Sequence, residues 1–214
     1  VRQAVPTLRV VGEELDMSTE RRILLAAERL FAERGVDGVS LRAVMAAAGT
    51  NVAAVHYHFG SKDALVEALI KERSEAISAK RAALLDRLEG AETFTARQLA
   101  EAFVDPVAEV ALSGGEAWVS FVSSLINSTH PAMTLVTHEF FEQARRFTKL
   151  LQTLHPQWPT AKVLFRLSQA MTLTFQVLGD IEGVQRTIAV SKTELSRTEV
   201  VEQLLDLVTA SLEA

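Results

Sequence analysis

Cysteine is absent from the 214 residues, so the chain has no disulfide framework, no thiolate metal site and no thiol nucleophile. Proline (5) and glycine (10) are scarce, and few breakers in an alanine- and leucine-rich chain favour helix. No stretch has the length and apolarity of a secretory signal or a membrane span. The expected location is therefore cytoplasmic, with no membrane partner. An excess of positive charge is also missing: 22 Lys and Arg stand against 27 Asp and Glu, a formal net charge of −5. That balance argues against a general binder of polyanions. There is no glycine-rich phosphate loop and no serine in a strand–turn–helix elbow, so the chain is not expected to be an enzyme or to need a cofactor. His56 and His58 lie two apart, in different helical directions. His130 and His138, eight apart, could face one pocket with Glu139 or Glu142, but ordinary core or surface histidines are the simpler reading. No metal site is expected.

Helical periodicity is what the chain does have. Ile23, Ala26, Ala27, Leu30 and Phe31 form an i, i+3, i+4, i+7, i+8 stripe over 19–34, closed by Gly35. Ser40 caps a second short helix in which Leu41, Val44, Met45 and Ala48 share one face. Gly49 can stop it sharply by taking a left-handed backbone. Asn51 caps a third segment of about two turns, too short to be stable without packing. Val52, Val55 and Phe59 are its anchors, which leaves small or polar-tipped groups outward. Such a surface suits a DNA major groove. From 18 to 62, six basic residues stand against four acidic ones, so a mildly basic head precedes an acidic remainder.

The stretch 19–65 resembles the DNA-binding domain of the TetR family of transcriptional repressors. The shared features are the ILLAAERLFAERG run at 23–35, Ser40, Ala48-Gly49, the HYHF run at 56–59 and Ser61 to Leu65. Thr50, Asn51, Ala53 and His56 depart from the commoner residues of the family and would change which bases are read. The resemblance implies an all-α fold: an N-terminal three-helix DNA-binding head with a helix-turn-helix, joined to a C-terminal helical ligand-binding and dimerisation domain. It implies a repressor released from a pseudo-palindromic, double-stranded operator by a small, mainly hydrophobic effector. Ala53, Ala54 and His56 would face base edges, with Thr50 and Asn51 beside them. Tyr57, His58 and Lys62 would lie nearer phosphates. Arg42 is a further phosphate contact or a surface ion pair. The alternative function is an all-helical interaction or scaffold protein without specific DNA binding.

The expected domains are a loose arm over 1–17, the head over 18–65 and the body over 66–214. Met17 lies near the start of the helical pattern, and the arm's Arg2 and Arg9 are offset by Glu13, Glu14 and Asp16. In the body, a long helix runs from Lys62 towards Leu88. Thr95 and Gln98 form a capping box, a kink is expected at Pro106, and Gly114-Gly115 breaks the helix. Two further helices end at Ile126 and Leu154, and His155 to Pro159 is a turn. A helix from Thr160 to Leu178 precedes a loop from Gly179 to Thr193. Ser196 and Glu199 then cap the last helix. Trp118, Phe121, Leu125, Met133, His138, Phe140, Phe141, Phe147 and Phe175 are candidates for an effector pocket, with Gln143, Thr137 and Asn127 as candidate polar groups. The last two helices are apolar on more than one face and can fill an intrachain core. The resemblance favours a homodimer seam instead, through Val163, Leu167, Met171, Leu178, Val201, Leu204, Leu205 and Val208.

Overall fold

A computed structural model of the chain describes residues 18–51, 57–126, 128, 131 and 133–213, with the backbone alone for 133–142. Every regular element among the described residues is helical. Two compact units meet between Leu69 and Ile70, four residues later than the expected boundary. The first two turns of the long helix belong to the head unit, where Leu65, Val66 and Leu69 are buried. The expected arm over 1–17 lies outside the described residues.

The head begins with α1, Thr19–Arg34. The Ser18 hydroxyl accepts the Arg21 amide at 3.2 Å, satisfying one unpaired donor of the first turn. The predicted stripe turns inward: Ile23, Ala26, Ala27 and Phe31 are buried, and Leu30 is half-buried. Glu28 is buried with them. Helix α2, Leu41–Ala47, starts where the Ser40 hydroxyl accepts the Ala43 amide at 3.2 Å. It packs on α1 through Val44 and Met45, while Leu41 stays half-buried. Gly49 has φ +63°, a conformation costly for residues with a Cβ, and it turns the chain sharply. The Thr50 amide closes this turn on the Met45 carbonyl at 3.0 Å.

Helix α3, Lys62–Gly90, is 29 residues long and runs through the unit boundary. In the body follow α4 (Ala96–Val110), α5 (Glu116–Ile126), α6 (Met133–Leu154), α7 (Thr160–Leu178), α8 (Ile181–Ala189) and α9 (Arg197–Glu213). Both expected capping boxes form. Thr95 and Gln98 exchange bonds at the start of α4; before α9 the Ser196 amide donates to Glu199 at 2.7 Å and the Glu199 amide to Ser196 at 3.2 Å. Helix α4 continues through a buried Pro106. At Gly114-Gly115 the helix changes pitch: a five-residue π turn, Ala111–Gly115, leads into α5, with non-helical angles at Ser113 and Gly114.

The expected loop over 179–193 is a correction. Residues Ile181–Ala189 form α8, with the Asp180 carboxylate accepting the Gly183 amide at 2.9 Å. Two glycines and an aspartate read as loop, yet Asp180 is an N-cap and Ile181, Val184 and Ile188 recur at helical spacing. Gly179 is needed for close approach: a Cβ there would lie 2.8 Å from the Ser120 Cα on α5.

In the body core, α9 packs on α4 and α7, and α5 and α6 pack on α7. Leu99, Val104 and Val107 of α4, Leu167 of α7, and Leu204 and Val208 of α9 are all buried. Each large apolar side chain buried this way contributes about 1.5–3 kcal/mol. Arg97 holds α4 to α9 from outside, with Glu202 at 2.8 Å and Asp206 at 2.5 Å.

Candidate nucleic-acid interface and effector site

The head presents its polar groups around the α2–Gly49 turn and the start of α3. Arg42 is exposed on α2, Thr50 is half-buried and Asn51 is exposed. Ala53, Ala54 and His56, the residues expected to read base edges, lie outside the described residues, as do the anchors Val52 and Val55. Tyr57 and His58 are helical. Tyr57 is 85% exposed, and its ring meets the His58 ring edge-on at 5.0 Å. An aromatic held so far into solvent contributes nothing to the head's own core. It is free to meet another surface. The Ser61 hydroxyl accepts the Ala64 amide at 3.1 Å and caps α3. Lys62 follows in its first turn, half-buried. Thus Arg42, Thr50, Asn51, Tyr57, His58 and Lys62 all stand in or beside the helix-turn-helix, and none has its side chain fully buried.

Among the residues expected at an effector pocket, Trp118, Phe121, Leu125, Phe147 and Phe175 are buried inside the body. Phe147 meets Phe103 edge-on at 5.0 Å. The side chains of Met133, Thr137, His138, Phe140 and Phe141 lie outside the described set, with all of Asn127 and His130. Of the polar groups named, Gln143 is placed, and it is buried. Its amide donates to the Ser78 carbonyl of α3 at 2.8 Å. Its oxygen faces Arg81 of α3, whose Nη1 approaches at 3.4 Å and whose Nη2 donates to the Phe103 carbonyl of α4 at 3.0 Å. The Arg81 guanidinium also lies 5.2 Å from the Phe103 ring centroid, within cation–π range. Burial lowers the Arg81 pKa to about 9, because leaving water disfavours the charged form. Sequence reasoning took Arg81 for part of the wet face of α3. Its only sequence signal is its spacing of four from both Ile77 and Leu85 on the buried side.

Seven of the eight residues expected at the dimer seam lie inside a single chain. Val163, Leu167, Leu178, Val201, Leu204, Leu205 and Val208 are all buried, on two helices that pack on each other and on α4. Met171 is half-buried. The apolar groups these two helices leave outside are Phe165 (61% exposed), Leu164 (51%) and Leu207 (58%). Residues two apart on a helix lie about 200° apart, so Val163 and Phe165 cannot both face one core. Beside Leu164, an open groove of about 320 Å³ runs between α6 and α7, lined by Ala144, Arg145, Thr148, Lys149 and Gln152.

Two family profiles match. Residues 23–69 match the bacterial regulatory proteins of the TetR family, and residues 101–211 match the tetracycline repressor-like C-terminal domain. The chain belongs to the TetR family. It is a DNA-binding transcriptional regulator. Among curated relatives, it is 26% identical over 168 residues to the HTH-type transcriptional regulator UidR of Escherichia coli, covering 77% of this chain and 82% of that one. It is 39% identical over 69 residues to the HTH-type transcriptional repressor Rv1474c of Mycobacterium tuberculosis. That match spans 32% of this chain and only 37% of the mycobacterial protein. The fold is shared with the TetR family regulator PfmR of Thermus thermophilus (TM-score 0.61, 17% identity, 92% of this chain and 97% of that one). It is shared as well with the ketosteroid regulator KstR2 of Mycobacterium tuberculosis (TM-score 0.59, 18% identity, 90% and 94%). Among the described residues no helix is long and apolar enough to cross a membrane, and no group of three or more metal-binding side chains is found.

Proposed function

We propose that this regulator is a cytoplasmic, homodimeric repressor that leaves a pseudo-palindromic operator when a small, mainly hydrophobic effector enters its body. The observation that carries the DNA-binding part is the Ser40-capped α2, its tight turn at Gly49, and the exposed polar groups that follow. Ala53, Ala54 and His56 then read base edges, where alanine methyls can meet thymine methyls. Tyr57, His58, Lys62 and Arg42 reach phosphates, and Thr50 and Asn51 set the start of the reading segment.

One head covers too little DNA for high specificity, so two heads about one helical turn apart, or a multiple of it, multiply the discrimination. We place the seam on the outward faces of α7 and α9, at Leu164, Phe165 and Leu207, because large apolar groups at such exposure mark contact surfaces when they cluster. The effector site is assigned to the aromatic interior around Trp118, Phe121, Leu125, Phe147 and Phe175, joined by Met133, His138, Phe140 and Phe141. Gln143 supplies a polar end to a largely apolar site.

Selection of duplexes from a random library by the purified chain, followed by titration of the enriched duplex, tests this reading. A palindromic enriched sequence, bound at two chains per duplex and weakened by rising salt, is the expected result. Failure to enrich any sequence at physiological salt rules out the operator-binding role and leaves the scaffold alternative.

A further inference from the structure

We infer that Arg22 is an additional DNA-backbone contact, a phosphate grip set where α1 meets the helix-turn-helix turn. The inference rests on the DNA-binding reading above. Arg22 lies in the first turn of α1, far in sequence from the residues that resemblance assigns to DNA. The fold nevertheless brings it to the turn: its Nη1 lies 3.9 Å from where a Cβ on Gly49 would stand. A glycine at 49 thus leaves open the space beside which the guanidinium sits. The stem is half-buried against the head. The Nε is enclosed and has no hydrogen-bond partner. Nη2 reaches only the Thr19 hydroxyl, at a long 3.5 Å, and no acidic side chain among the described residues is paired with Arg22.

A guanidinium carries five donors in a planar fork. Here one enclosed donor is unmet and one is weakly met, and the Nη1 end stands beside the turn that precedes the reading segment. The residues that follow this turn are Thr50 and Asn51 rather than carboxylates. Two non-bridging oxygens of a phosphate match the free end of the fork in charge and geometry. A structural arginine, by contrast, is normally tied to a carboxylate or to carbonyls, as Arg97 and Arg81 are in this chain. Partial burial of the stem also fixes the guanidinium before DNA arrives, which reduces the entropy lost on contact.

The test is the salt dependence of duplex binding, measured on the full chain with a duplex enriched from a random library. Each neutralised phosphate contributes about 0.9 to the slope of log affinity against log salt. Arg22→Gln is expected to lower the slope by about that amount per head and to weaken all sequences alike, with the loss shrinking as salt rises. Arg22→Lys should keep most of the slope. If the glutamine variant unfolds, Arg22→Met keeps the aliphatic packing and replaces it. Methylphosphonate substitution along the duplex gives a second reading: one neutralised phosphate should weaken the wild type and leave Arg22→Gln unaffected. An unchanged slope in folded Arg22→Gln or Arg22→Met, with the wild type binding normally, overturns the inference and leaves the regulator reading intact. Absence of salt-dependent duplex binding by the wild type overturns both.

Discussion

Single side chains divide into those proposed to meet DNA and those that hold the body's polar interior. Lys62 stands at the first turn of α3 in the head. Its replacement by alanine is expected to weaken all duplexes about equally, whereas replacing Ala53 should change which sequence wins. Footprinting on mixed duplexes separates the two outcomes, and a Lys62→Ala effect confined to one sequence would reassign it to base reading. In the body, Gln143 bonds at once to α3 and to the Arg81 guanidinium. Gln143→Leu fits the volume but strips Arg81 and the Ser78 carbonyl of a partner. Leaving buried polar groups unmet costs about 1–3 kcal/mol, and the thermal midpoint should fall accordingly. An unchanged midpoint would mean that water or the other partners of Arg81 take over the role.

At the scale of elements, the start of α9 is set by a reciprocal cap. The Ser196 hydroxyl and amide hold the Glu199 carboxyl below its ordinary value of 4.5. A carboxylate with a depressed folded-state pKa contributes stability that is fully present above its unfolded value and is lost as pH falls through the folded one. Glu199→Gln should therefore lower the thermal midpoint at neutral pH and converge on the wild type in acid below 4.5. Equal offsets at both pH values would show that the carboxylate charge is not involved. The two faces of α7 and α9 give a second contrast. Leu204 is buried within the chain, and Leu207 is exposed one turn on. Leu204→Glu should unfold the body, since a charge cannot be left unpaired there. Leu207→Glu should leave the protomer folded.

For the whole molecule, the corresponding readout is assembly. Leu207→Glu, or Phe165→Glu, is expected to give a folded monomer by sedimentation with normal helical content, and to lose operator affinity because the second head no longer binds in register. A variant that stays dimeric moves the seam to another surface. Effector action adds a reciprocal constraint: a compound that weakens operator binding by a given factor must itself be weakened by operator DNA to the same extent. The continuation of α3 from head into body offers one covalent route for such coupling, and Arg81 and Gln143 join that helix to α4 and α6.

Local patterns in the sequence determined much of the chain. The stripe of α1, the caps at Ser40, Thr95 and Ser196, the turn at Gly49 and the break at Gly114 all depend on interactions within a few residues, so they are legible without the fold. The family features over 19–65 pointed to the DNA-binding head for the same reason: they are contiguous. Helix α8 was missed because Asp180 and two glycines also read as a loop, and only the packing of Ile181 and the Glu116 carboxylate on its amide decide for helix. Which face of α7 and α9 points inward was beyond the sequence, because both helices are apolar on more than one side. Only the placement of α4 beside α9 and of α5 beside α7 buried Leu167 and Leu204 and left Phe165 and Leu207 outside. Arg22 beside Gly49 and Arg81 beneath Gln143 are decisions of the tertiary structure too: each joins residues distant along the chain, and no local periodicity encodes the meeting.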